Sequence, residues 1–508
     1  MATSPVKAPK IIGITNPPKD VIGVIKKRRS QELIIGLCGA IGSGIKPLKN
    51  TICEKLKSYG YEVHHIRLSD IIISKTDPTL KSLTGYDRYV QLQDAGDELR
   101  RKHNSSILAA CAINEIALTR IEEYGSDEEE SDELVKTDKK VAYILDQLKH
   151  PDEVSLLRTV YNHNFYLIGL IRTEKERKLN LEEEKINPGE IEELVMRDRK
   201  DSDEHGQQVE KTLYGADFFI RNIHNQSQLL QASVERFIKL VHGVNGITPT
   251  HDEIGMFAAY SASLRSACLS RQVGAAITDA SGNVIATGCN DVPAAGGGLY
   301  SASTSKDFRC VHKGQCSNDK HKSLLKEEIR QTLTKEIHDE RLVQHLVRQI
   351  VSETKIKSLI EYSRAIHAEM DAIVSLARET SESTKNKILF ATTYPCHNCA
   401  RHIVAAGINK VVYIEPYEKS LAMKLHDDAI SDIDEVGKVI FMPFEGVSPN
   451  RFEKFFKSNG ARKDNSGRVI HNHVNDLYHV DTQYLDSYHA YEAKVAAMLA
   501  GMFENTDA

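Results

Sequence analysis

Ile366-His-Ala-Glu-Met-Asp-Ala-Ile373 and Pro395-Cys-His-Asn-Cys-Ala400 decide how the second half of this chain is read. His367, Cys396 and Cys399 supply one imidazole and two thiolates. Those are three of the four ligands tetrahedral zinc takes, and catalytic sites leave the fourth position open to water. Glu369 lies two residues past the histidine and 26 before Pro395, a carboxylate outside the ligand set and available to carry protons.

The spacing has local reasons. With Pro395 before or in the first turn of a helix, Cys396 and Cys399 stand about one turn apart on one face. Their sulfurs then lie near the positive helix end, where thiolate is favoured over thiol. Residues 363–377 carry apolar side chains at helical spacing, so His367 and Glu369 fall in the first turns of a second helix. A lone C-x-x-C also reads as a structural zinc or as two reduced cysteines in a core, but then Glu369 has no task. A water-activating zinc beside an unligated glutamate is the arrangement of zinc nucleobase deaminases, and it predicts a hydrolytic deaminase.

Working outward, the C-terminal half reads as a helix at 256–270, a strand at 273–278, a tight turn at 279–283 and a returning strand at 284–288. Further strands are expected at 389–393 and 410–414, so that the ligands fall at strand–helix junctions. Ser266-Ala-Cys-Leu-Ser-Arg-Gln-Val-Gly-Ala275, Thr287-Gly-Cys-Asn-Asp-Val-Pro293, the two stretches quoted first and Val411-Val-Tyr-Ile-Glu-Pro-Tyr417 together resemble the deoxycytidylate deaminase family over about residues 252–445. The resemblance implies that Asn290 contacts the deoxyribose, that Val273 and Ala368 line the base pocket, and that Tyr417 lies near the nucleotide. From its residue type alone, Asn290 reads also as a turn residue. Asp291, Ala294 and Asp371 depart from the family's usage, so a deoxycytidine nucleotide is implied without a particular phosphate count.

An insertion at about 296–359 separates the substrate loop from His367. Its Cys310, His312, Cys316 and His321 suggest a second, structural zinc, with Cys268 as a further ligand; a loop with incidental thiols is the other reading. The later part of the insertion, 324–359, is amphipathic and helical, and suits a lid or an oligomer contact.

In the first half, the apolar run 33–38 is followed by Gly39-Ala-Ile-Gly-Ser-Gly44 and a helical pattern from 48 to 59. Strand, glycine loop and helix form the context of a phosphate-binding loop, with Gly39, Gly42, Ser43, Gly44 and Lys46 as its candidate residues. Ile45 stands where the G-x-x-x-x-G-K-[ST] pattern has lysine, and Lys46 comes one position late, which favours nucleotide binding over rapid phosphoryl transfer. A glycine turn that merely joins strand to helix is the plain alternative. Strands at 61–68 and Phe165–Ile171 imply a parallel sheet. The stretch 88–100, Arg197-Asp-Arg199 and 216–222 resemble deoxynucleoside monophosphate kinases, although each arginine also reads as a surface ion-pair partner. The fold expected is therefore α/β: an N-terminal P-loop parallel-sheet domain and a C-terminal cytidine-deaminase-like α/β/α sandwich. Residues 1–30 read as a mobile tail, 31–243 as the first domain, 250–475 as the second and 476–508 as a helical tail.

The pairing of these domains resembles, more narrowly, bacterial antiphage dCTP/dCMP deaminases, which implies draining of the dCTP supply, a homo-oligomer, and a nucleoside triphosphate or an RNA or nucleotide regulator at the first domain. Composition agrees with a cytoplasmic enzyme: 508 residues, nine cysteines and no long apolar run, hence no membrane partner. A net charge of −5 and the absence of Trp speak against a polynucleotide substrate, the rival deaminase reading (tRNA or single-stranded DNA). A nucleotide- or RNA-sensing switch with deaminase output is the other rival.

Overall fold

The computed structural model describes residues 28–125, 137–199, 205–222, 226–354, 356, 359–379, 382–415, 420–458, 460–480 and 485. Tyr417, the acidic stretch 127–133, most of the basic N-terminal tail and, but for Leu485, the expected tail helix lie outside them. The chain divides into two compact units, Met1–Thr248 with Asn450–Ala508, and Pro249–Pro449.

In the first unit, β1 (Leu33–Gly39) is buried along all seven residues. It runs between β3 (Val141–Asp146) and β4 (Phe165–Ile171), covered on both faces as a central parallel strand must be. With β2 (Glu62–Arg67) and β5 (Phe218–Arg221) the order is β5-β4-β1-β3-β2, every pairing parallel. The chain after β1 crosses to one side of it and later returns to the other, so the glycine turn stands at a topological switch point, where open α/β sheets bind ligands. From that turn α1 (Ile45–Ser58) begins; it buries Leu48, Ile52 and Leu56, the i, i+4, i+8 stripe of an amphipathic helix. α2 (Gly85–Lys102) spans the stretch expected to resemble a kinase. Within the charged stretch 174–203 lie two helices, α3 (Glu174–Glu183) and α4 (Pro188–Arg199). α5 (Ser227–Val241) ends as expected at His242, with Gly243 at φ 62°.

The second unit opens with α6 (His251–Ser263), five residues earlier than the periodicity suggested. Thr250 caps it, accepting from Glu253 N–H while the Glu253 carboxylate accepts from Thr250 N–H, and that capping box sets the start. The sheet combines β6 (Gly274–Thr278), β7 (Val284–Cys289), β8 (Ile388–Thr393), β9 (Lys410–Glu415), β10 (Ile430–Ser431) and β11 (Val439–Pro443) in the order β10-β11-β9-β8-β6-β7. β6 is antiparallel to both neighbours and the other pairings are parallel. α7 (Ser317–Glu336) and α8 (Glu340–Glu353) form the body of the insertion. α9 (Ala368–Glu379) and α10 (His397–Ala405) follow the two motif stretches. Two glycines define the layers. A Cβ on Gly274 would lie 1.9 Å from the Ala259 carbonyl of α6, and one on Gly288 would lie 2.3 Å from the Ala368 carbonyl of α9. Gly288 pairs with Ala275, one residue past Gly274, so the two glycines face opposite sides and the helices sandwich the sheet.

The second unit ends at Pro449, not at 475. Phe455, in the short helix Phe452–Phe456, is buried and stacks on Tyr166 of β4 at 6.1 Å, and Lys140 donates to the carbonyls of Val474 and Asn475. Those contacts place 450–475 with the first unit. No helix among the described residues is long and apolar enough to cross a membrane.

Candidate active site

Cys396 is the N-cap of α10 and Cys399 lies in its first turn; both are buried. Tyr394, just past β8, donates its N–H to the Glu415 carbonyl, which fixes Pro395 at the strand's end. His367 immediately precedes α9, and its carbonyl accepts from Asp371 N–H at 2.9 Å. The helix thus starts later than residue 363, but two helix starts do meet. His367 Nδ1 lies 3.3 Å from Cys396 Sγ and 3.4 Å from Cys399 Sγ. One ligand atom from each of the three residues falls within 4.8 Å of the others. An N–Zn–S edge of a zinc tetrahedron is about 3.6 Å, so this soft set fits zinc.

Cys399 and His367 beside it hold the Cys396 thiol down at about 4, and Cys396 in turn holds His367 up at about 9. Cys399 is pushed up by the same pairing and by burial. Glu369 is 4% exposed and accepts from Cys399 Sγ at 3.5 Å; burial raises its carboxyl. The Glu369 carboxyl thus lies against Cys399 while standing outside the set of three.

Ala368 belongs to the buried cluster that holds Cys396 and Cys399, and Val273 packs against it. Asn290 is engaged by backbone: Oδ1 accepts from Val273 N–H and Nδ2 donates to the Arg271 carbonyl, both at 2.7 Å. It ties the segment before β6 to the end of β7. The second-zinc set does not converge. Among the described residues, the groups of three potential ligands are His367, Cys396, Cys399 and Glu62, His64, Glu123. Cys316 instead caps α7 with its sulfur 3.9 Å from Ser270 Oγ, His321 stacks on Tyr362, His312 pairs with Asp307 and Cys310 lies in a 3-10 turn. Sequence reasoning passed over Tyr394 and His397, whose buried Oη and Nδ1 lack hydrogen-bond partners among the described residues. Their position beside and inside the Pro-Cys stretch was the available signal.

In the first unit, Gly42, Ser43, Gly44 and Lys46 line a cleft of about 990 Å³, with Arg67, Arg88 and Gln93 on other walls. Gly39 lies behind them at the end of β1. Gly42 and Gly44 have φ of 76° and 86°, the left-handed region that glycine adopts readily. Asn180 Nδ2 and Asn222 Nδ2 bind the carbonyls of Gly42 and Ser43. Ser43 Oγ is buried without a partner among the described residues. Arg197 pairs with Asp94 and Asp97, the ion-pair reading of that arginine.

The C-terminal unit is thus a three-layer sandwich presenting a Cys2His site with a buried carboxyl beside it, the equipment of a metal-dependent hydrolase. Residues 249–415 match the family described as cytidine and deoxycytidylate deaminase zinc-binding region. The deoxycytidylate deaminases of Enterobacteria phages T2 and T4 are 31% and 32% identical over 162 residues, 32% of this chain and 78% and 76% of theirs. The crystal structure of dCMP deaminase from the cyanophage S-TIM5 aligns over 39% of this chain and all of its own at 20% identity, with a TM-score of 0.23, too low to carry weight. The chain belongs to the deoxycytidylate deaminase family and is a hydrolase acting on carbon–nitrogen bonds.

Proposed function

We propose that this enzyme converts free deoxycytidine nucleotides, dCMP or dCTP or both, to the corresponding deoxyuridine nucleotides and ammonia. The observation that carries the reading is Glu369: buried, raised in pKa, and in contact with a ligand set it does not belong to. When bound, zinc supplies a Lewis acid that lowers the pKa of water to about 7. His367, Cys396 and Cys399 would hold the metal. Glu369 takes a proton from the attacking water and delivers it to the ring nitrogen beside the carbon under attack; a second transfer accompanies cleavage of the carbon–nitrogen bond, and ammonia leaves. Val273 and Ala368 give the base apolar walls. We read the protein as cytoplasmic and oligomeric.

The N-terminal cleft supports a regulatory nucleotide, with phosphates against Gly42–Lys46. Ser43 Oγ, orphaned at the wall of the cleft, and the switch-point position of the loop favour this over a plain turn. An enzyme of this kind would drain the dCTP supply of replicating phage, with the cleft as the sensing module.

The test is ammonia release from dCMP, dCTP, CTP, single-stranded DNA and tRNA, with and without added nucleoside triphosphate or RNA. Turnover of dCMP or dCTP is expected; turnover confined to the polymers would replace this reading with a polynucleotide deaminase. A rate indifferent to every added nucleotide and RNA would remove the regulatory role of the cleft.

A further inference from the structure

Two buried charges join the insertion to the segment that leaves β7. Asp291 is 2% exposed; its Oδ2 accepts from Ala267 N–H at 2.9 Å and its Oδ1 from Val292 N–H at 2.8 Å. Its backbone carbonyl accepts from Ile366 N–H at 3.0 Å, one residue before His367. Arg309, from the insertion and 7% exposed, reaches Asp291 Oδ2 through Nη1 at 3.5 Å. The same guanidinium forks onto Asp307, with Nε 2.8 Å and Nη2 2.6 Å from Oδ2. Between these two residues, the Phe308 carbonyl accepts from Arg364 Nη1 at 3.0 Å. The corner 307–309 therefore grips both chain segments that converge on the first metal ligand.

A buried carboxylate is tolerated only when it is paired, and breaking a buried pair strands the remaining charge. Without Arg309, Asp291 would keep two backbone donors and no cation. Relief comes by moving the 290–292 segment toward water, and the carbonyl bonded to Ile366 moves with it. Arg rather than Lys suits the place, because one planar group serves two carboxylates in fixed directions.

We propose that Arg309 is a positioning residue for the metal site: by holding Asp291 it fixes the backbone at Ile366, and so the approach of His367 to Cys396 and Cys399. The insertion becomes a working part of the catalytic apparatus. The activity readout rests on the deaminase reading; the spectroscopic one does not.

The experiment uses the full chain loaded with Co2+ in place of zinc, whose visible absorption reports ligand geometry without any substrate, together with steady-state kinetics of the zinc form on dCMP. Arg309→Ala should shift or weaken the cobalt bands and lower kcat at least tenfold with KM within about twofold. Adding Asp291→Asn removes the stranded charge, although its amide nitrogen then faces one backbone N–H, and should return the bands part of the way toward wild type. Should Arg309→Ala fail to fold, Arg309→Lys, which keeps the charge and loses the fork, should give an intermediate spectrum. A wild-type spectrum and kcat in Arg309→Ala, or in Arg309→Lys where that is the variant that folds, would overturn the proposal and leave Arg309 a brace of the insertion alone. A wild-type enzyme inert toward dCMP and dCTP would count against the deaminase reading, while the cobalt spectra would still decide this one.

Discussion

Cys399 Sγ donates to Glu369 Oε2 at 3.5 Å, so a buried carboxyl outside the ligand set touches one of the candidate metal ligands. Position and burial arise from the same feature: both residues lie in first turns of helices that start at the sheet, under a cover that leaves Glu369 4% exposed.

The three ligands should be individually indispensable to the metal. Cys396→Ser, Cys399→Ser and His367→Asn are each expected to lower bound zinc from about one per chain to a small fraction, because a structured site that loses one of three protein ligands loses most of its affinity. Elemental analysis of the dialysed protein checks this, and full zinc occupancy in any of the three would exclude that residue as a ligand.

Gly288 sets how closely α9 approaches the sheet. A Cβ there would lie 2.3 Å from the Ala368 carbonyl and 2.4 Å from Ala372 N, both backbone atoms that cannot rotate away. Gly288→Ala should therefore push α9 outward, lower kcat by about tenfold or more and depress the melting temperature. Gly189→Ala, with nothing within 4 Å of the new carbon, serves as the control and should leave both unchanged.

The motifs were legible because each is local: Pro395 to Cys399 is one helix start and His367 to Glu369 another, and the two together named the chemistry. β1, β2, β4, β6, β7, β8 and β9 were legible for the same reason, within a residue or two at their ends, whereas β5, β10 and β11 were not read. What could not be read depends on where the chain returns. Cys310, Cys316 and His321 have the composition of a metal site, but α7 and Tyr362 take them in other directions. The domain end at 449 is set by Phe455 finding Tyr166, almost three hundred positions away in the chain. β3, buried along five of six residues, escaped notice because it follows a charged stretch with no periodic signal of its own.

Acid should weaken the first unit through His242. Its ring donates to the Ile238 carbonyl and meets Tyr61 Oη at 2.8 Å, so the neutral form is satisfied, and burial lowers its pKa from 6.5 to about 4. The unfolded chain binds the proton more readily, so this stabilisation is complete above about pH 6.5 and is lost as pH falls through about 4; it amounts to about 3 kcal/mol at most. Urea unfolding of the wild type should show this slope, and His242→Gln should flatten it. An identical slope in the variant would assign the acid sensitivity elsewhere.

At the N-terminal cleft, Gly44 has φ 86° and an added Cβ would lie 2.4 Å from Asn222 Nδ2. Gly44→Ala should raise the concentration of ATP or dNTP needed for a given thermal shift by about tenfold, the loss of roughly 1.4 kcal/mol of binding, while zinc content stays unchanged. Equal thermal shifts in both proteins would place the nucleotide outside this loop.

The central claim, that Glu369 moves protons for a hydrolysis at the His367–Cys396–Cys399 site, is tested most directly by measuring zinc content and ammonia release from dCMP and dCTP on one preparation each of wild type and Glu369→Gln. Equal zinc in the two and a turnover lower by about a thousandfold or more in the variant are expected. A zinc-loaded Glu369→Gln enzyme that releases ammonia at close to the wild-type rate would contradict it.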